Sequence, residues 1–371
     1  MDKTAMNVIE LVSCAVNGKV PDKAKVEAMD LDAVYDFAAS HTLTSAVAFA
    51  LESAGYRDHN SSKAIGNSVH NSVSFDFAWA KIKEKLENAG IWYMPLKGAV
   101  LKKEYPKVGM REFLDYDILI DPNRADDVKA IMEELGYQVD HFGFGNDDRY
   151  LKSPNLIFEM HRDLFVPYEA PESYKYYQNI KNRLIGDGLE KHFRPEDFYL
   201  YLLAHEHKHY IHSGTGLRSL LDFYVILKTE QLDMDYIAAE AEKLGIKSFE
   251  KQNRTLALHL FGGSKLIETE QQMLNYLLSS GTYGSFGQKI SNRLHSYNCS
   301  KFQYLLRRFC GPLSKNDPEY APFWAFYPFF HRHKILLPFL PIYRLFRGMM
   351  NGKLWKELRA VLHASKNSRP D

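Results

Sequence analysis

Phe113-Leu114-Asp115-Tyr116-Asp117-Ile118-Leu119-Ile120 is the stretch that decides the fold. Its β-branched and aromatic residues predict a strand over 113–120. Strand alternation then puts Asp115 and Asp117 on one face, about 7 Å apart along the backbone. Two carboxylates on one surface repel, and in an apolar strand both also lose solvation, so an ion or solvent must offset the cost. Paired divalent cations roughly 4 Å apart would do so. Replacing either acid by Asn is expected to relieve the repulsion and leave the fold intact. The inert alternative is a solvated Asp-x-Asp at a sheet edge, and the flanking segments bear on the choice.

Upstream, residues 91–96 read as a strand that ends at Met94-Pro95-Leu96-Lys97-Gly98 and enters a helix over 98–105. At such a turn, backbone N–H groups and the positive end of a helix dipole hold phosphate, and Lys97 adds a mobile charge. Downstream, a helix over 123–135 is bounded by Asp121 or Asn123 as N-cap and by Gly136 as its stop. Strands follow over 137–142 and 156–161. The last one, Leu156-Ile-Phe-Glu159-Met-His161, carries an acid in its middle, with His161 two residues on and therefore on the same face. Glu159 is the third acid a metal site would need; otherwise it is a paired or edge carboxylate. His161 could face substrate or be a strand histidine satisfied by its neighbours.

On both sides the periodicity is helical. Apolar residues recur at three- and four-residue spacing over 8–54 and 69–89, and again over 196–210, 216–229, 235–244 and 268–279. The fold class expected is therefore α+β, a small mixed-sheet unit between helical regions. The boundaries fall at 1–88 for an N-terminal helical region, 89–168 for the α/β unit and 169–371 for a mainly helical C-terminal region ending in an aromatic and basic tail.

The 371 residues include 45% hydrophobic side chains, enough for a large core. Their 47 basic and 46 acidic residues nearly cancel to +1, so no chain-wide field draws the protein to nucleic acid. No extended basic and aromatic groove is visible near the α/β unit either, which argues against a nucleic-acid acceptor. Cys14, Cys299 and Cys310 show no CxxC spacing, which suits a reducing compartment, and are expected to be ordinary buried thiols. The first residues lack the apolar run of a signal peptide, so a cytoplasmic location is expected.

The order Leu96-Lys97-Gly98, Tyr105-Pro106, Arg111, Asp115-Tyr-Asp117-Ile-Leu-Ile, Leu135-Gly136-Tyr137, Glu159-Met-His161 resembles bacterial nucleotidyltransferases of the DNA polymerase β-like superfamily. Tyr35-Asp-Phe-Ala-Ala-Ser-His41 resembles that family's N-terminal helix, and Leu217-Arg-Ser-Leu-Leu-Asp222 its helical-domain motif. The resemblance covers roughly residues 30–225. It implies a polymerase β-like nucleotidyltransferase domain with Gly98 in the glycine turn and Asp115, Asp117 and Glu159 as catalytic metal-binding acids. Lys97 and Arg111 become phosphate contacts. The cofactor implied is Mg²⁺ (or Mn²⁺), and the partners are an NTP and a small-molecule or protein hydroxyl acceptor. Ala99 departs from the family turn, which usually has Ser or Gly after the first glycine.

Two other features stand apart. His205-Glu206-His207-Lys208-His209 contains H-E-x-x-H, so a zinc metallopeptidase is an alternative, although His212 and Thr215 stand where the longer motif has Gly and His. Otherwise His205 and His209 face substrate or support helix packing. A catalytically weak nucleotide-binding protein is the third function class. Residues 321–350 are rich in aromatics, interrupted by prolines and free of acids. They read either as a helical hairpin packed on the core or as an interfacial segment in peripheral contact with a membrane.

Overall fold

The computed structural model describes residues 2–282, 284, 286–296, 299–311, 320–350 and 353–363. Met1 and residues 364–371, included in the outer domain boundaries drawn from sequence, lie outside the described residues. The chain divides into two compact units, Met1–His207 with Leu217–Gln271, and Lys208–Gly216 with Gln272–Asp371.

In the first unit, helices α1 (Lys3–Asn17), α2 (Lys23–Glu27), α3 (Leu31–Ser40), α4 (Thr44–Ser53) and α5 (His59–Asn88) precede the sheet. Strand β1 (Tyr93–Pro95), helix α6 (Lys97–Leu101), strand β2 (Tyr116–Ile120), helix α7 (Ala125–Glu134) and strands β3 (Gln138–His141), β4 (Asp147–Lys152) and β5 (Leu156–His161) follow. The strands form one sheet in the order β1-β2-β5-β4-β3. It is mixed, since β2 and β5 are parallel and the other neighbours antiparallel. The protein is thus a mostly helical α+β chain with a five-stranded mixed sheet in the middle.

The apolar residues of α5 explain the first face of that sheet. Phe75, Ala78, Trp79, Ile82 and Leu86 recur at helical spacing and pack with Val128 and Met132 of α7 on Tyr116, Ile118 and Ile120 of β2 and Phe158 and Met160 of β5. Asp58 starts α5 by accepting from the Ser61 N–H. Because side chains alternate, Asp117, Glu159 and His161 are left on the second face.

Three local expectations need correction. Strand β4 was not anticipated, because Asp147, Asp148, Arg149 and Lys152 hide its period. Asp148 and Tyr150 are nonetheless its buried positions, and Asp148 accepts from the Gly143 N–H at 2.7 Å and meets Arg162 at 3.2 Å. Asp115 precedes the strand, which starts at Tyr116 and not at Phe113. Helix α6 is a single turn ending at Leu101, too short for the dipole expected at its start.

The unit continues with α8 (Pro171–Tyr177), α9 (Pro195–His212, whose last turn belongs to the second unit), α10 (Leu217–Thr229), α11 (Met234–Lys243) and α12 (Lys247–Gly262). His41, almost fully buried at the end of α3, accepts from the Leu217 N–H at 3.2 Å and so caps α10. In the second unit run α13 (Glu268–Ser280, which starts in the first unit), α14 (Phe286–Ser296), α15 (Lys301–Cys310), α16 (Tyr320–Phe326), α17 (Pro328–Arg332), α18 (Leu340–Met350) and α19 (Lys353–His363). A small core of Ile290, Leu294, Tyr304 and Val361 joins α14, α15 and α19. The three cysteines are half-buried, not fully buried as expected, and none is in a disulfide. No helix among the described residues is long and apolar enough to cross a membrane.

Candidate active site

The parallel register sets Asp117 directly beside Glu159 and Leu119 beside His161. A carboxylate oxygen of each acid and a ring nitrogen of His161 all lie within 4.8 Å of one another. Among the described residues this is the one such group of three metal-capable side chains. Asp115 stands outside it, although its charge is felt at both Glu159 and Lys97.

Asp117 is almost fully buried, and its Oδ1 accepts from Lys97 Nζ at 2.7 Å and from His161 Nε2 at 2.9 Å. Burial works against its charge, but Lys97 and His161 outweigh burial and hold the carboxyl far below the usual range. Lys97 shows the converse: burial favours the neutral amine, and Asp117 overrides it. The ring orientation of His161 follows from Asn146, whose Nδ2 donates to Asp163 O at 3.1 Å and lies 3.3 Å from His161 Nδ1. A carbonyl only accepts, so that nitrogen is a donor, Nδ1 accepts from it, and Nε2 carries the proton given to Asp117.

The strained residue at the turn is Lys97, at φ 43°, and not the glycine. Gly98 is required for another reason: a Cβ there would run into Arg111 Nη1. Arg111 is expected from the resemblance to meet phosphate, and the structure commits most of it elsewhere. Its Nε and Nη2 donate to Asp222 Oδ1 and Oδ2, both at 2.8 Å, and Tyr105 donates to the same Oδ1 at 2.6 Å. Nη1 is buried with no hydrogen-bond partner, beside Gly98.

Glu159 is the acid under most stress. Burial first, then the charges of Asp117 and Asp115, push it up to about 8. Asp115 is raised too, by burial and by Asp117, with partial relief from Lys97, Arg218 and Arg111. A carboxyl whose folded value exceeds its ordinary 4.5 keeps its proton in the folded state longer than in the unfolded one. It therefore lowers stability as pH rises from about 4.5 to about 8. In metal-free protein, Glu159→Gln is expected to melt progressively higher than wild type across that interval. Parallel melting curves at every pH would rule this out.

Sequence reading missed four members of this neighbourhood. Arg149 lies opposite Glu159 in the antiparallel register, with Nε 3.8 Å from its carboxylate, and was hidden with its strand. Asn146 sits in the loop before that strand. Asp222 was visible only inside a motif, with nothing to say that it grips Arg111. Tyr201 of α9 looked like an ordinary helix residue. Its hydroxyl is buried without a hydrogen-bond partner, and its environment includes the charges of Lys97, Asp117 and Glu159.

Adjacent carboxylates flanked by Lys97, Arg111 and Arg149, on the sheet face opposite the apolar core, bring together the groups that could hold a cation and a phosphoryl group. Carboxylate-rich donors suit hard ions such as Mg²⁺ or Mn²⁺, and a cation there would offset both causes of the Glu159 shift. Residues 27–262 match the uncharacterised nucleotidyltransferase family, more than half of the 371 residues, and the chain belongs to that family. Neither curated proteins nor solved structures give a match.

Proposed function

We propose that the protein is a DNA polymerase β-like nucleotidyltransferase that, with Mg²⁺ or Mn²⁺, moves a nucleotide from an NTP to a small-molecule or protein hydroxyl. The observation that carries this reading is the register pairing of Asp117 with Glu159 beside Lys97, within a family of nucleotidyltransferases. Asp115, Asp117 and Glu159 would hold the cation, which when bound supplies charge neutralisation at the triphosphate. Glu159 Oε, beside the cation, would be placed to take the acceptor's proton. Arg111 Nη1 and the Tyr201 hydroxyl offer two buried donors for phosphate or acceptor oxygens, and Lys97 and Arg149 add positive charge. His161, tied between Asn146 and Asp117, positions that carboxylate.

Incubating the protein with labelled NTPs, Mg²⁺ or Mn²⁺ and a cell extract is expected to yield a labelled acceptor and free pyrophosphate. Chelation by EDTA is expected to stop the reaction. Transfer that survives chelation, or zinc as the sole supporting metal, would overturn the proposal.

A further inference from the structure

Helix α18 turns most of its apolar side chains outward. Its exposed positions include Ile342, Leu345, Phe346 and Met349, an i, i+3, i+4, i+7 stripe of apolar side chains that in a water-facing helix would point to the core, together with Tyr343, Arg347 and Met350. Its less exposed positions are the buried Leu340 and the half-buried Pro341, Arg344 and Gly348. The Arg344 guanidinium lies over the rings of Phe323 and Tyr327, at 4.6 and 5.1 Å, so the charge is turned towards aromatics within its own unit. The neighbouring segments share the inversion, with Ile335 90% and Phe326 81% exposed. Isolated apolar residues on a surface are ordinary, whereas a continuous run of them marks an interaction face.

Charge identifies what covers it. Residues 320–350 contain no acid, and Arg332, Lys334 and Arg347 are exposed among the apolar side chains. A second copy would bring the same cations against these, which electrostatics opposes. Apolar and aromatic side chains mixed with cations match the boundary between acyl chains and anionic headgroups. With no spanning helix among the described residues, contact from one side is the mode that remains for this surface. We propose that residues 326–350 are a membrane-docking surface that inserts apolar side chains into an anionic phospholipid bilayer.

The full-length protein should sediment with vesicles of phosphatidylglycerol mixed with phosphatidylcholine, and much less with phosphatidylcholine alone. Removing Arg332, Lys334 and Arg347 together, each as Gln, should weaken binding about a hundredfold, at roughly fivefold per cation near such a surface. Ile342→Asp with Phe346→Asp should abolish binding while the melting temperature holds, because both side chains already face solvent. Equal binding to neutral vesicles would overturn the anionic assignment. So would a dimer in solution that the Asp substitutions dissociate, or the absence of binding to either vesicle.

Discussion

Asp117→Asn is expected to slow nucleotide transfer severely and to destabilise the protein. From the strand alone the opposite sign is expected for stability, since removing one of two neighbouring acids relieves repulsion. The structure reverses it, because Asp117 is the acid that is paid for: Lys97 and His161 both donate to its Oδ1. A neutral amide would leave the Lys97 ammonium, with only 19% of its side chain exposed, without the carboxylate it is hydrogen-bonded to and with Asp115 and Glu159 as its remaining countercharges. Breaking a buried pair from one side costs about 3–5 kcal/mol, and the residual exposure of Lys97 places this case near the low end. Turnover is expected to fall about a thousandfold, the loss that follows removal of one group stabilising transition-state charge. Melts and single-turnover assays on Asp117→Asn and Glu159→Gln separate the two effects, since only the first should lose stability. If Asp117→Asn melts above wild type, the ion pair is not what holds this site.

The second large effect is expected at Asp222, which bears on the site through Arg111. Arg111 and Asp222 are both buried, with side chains 6% and 11% exposed, and the carboxylate also takes the Tyr105 hydroxyl. Asp222→Ala strands a guanidinium and a phenol at once, so a loss of about 3–5 kcal/mol is expected. Activity should fall with it, because Arg111 is the side chain packed against the Gly98 turn. Replacing all three partners with apolar groups of similar size, as in Arg111→Met, Tyr105→Phe and Asp222→Leu, should recover much of the stability and none of the activity. An Asp222→Ala protein that melts within a degree of wild type would show that the pair contributes nothing.

These cases show where the chain was legible. Strands β1, β2, β3 and β5 follow from runs of β-branched and aromatic residues, and the face shared by Glu159 and His161 follows from strand alternation. What sequence could not supply is the register between strands that are far apart in the chain. That register puts Asp117 beside Glu159 while Asp115 remains outside the three-residue group. Strand β4 escaped because its buried acid, Asp148, is met by Arg162 and by the Gly143 backbone, partners that no periodicity reveals. Lys97 and Arg111 were recognisable as basic residues near the turn, but their carboxylate partners lie 20 and 111 residues further along the chain.

That last separation has a consequence for the order in which the protein matures on the ribosome. All five strands are synthesised before α10, so the sheet can form while Arg111 still lacks its anchor. At about 5–20 residues per second, the intervening 111 residues correspond to an interval of roughly 5–20 s. Throughout it, the guanidinium beside the glycine turn lacks the bidentate carboxylate that holds it in the finished chain. A nascent chain released before residue 222 would therefore lack the carboxylate that holds Arg111, whatever its sheet content.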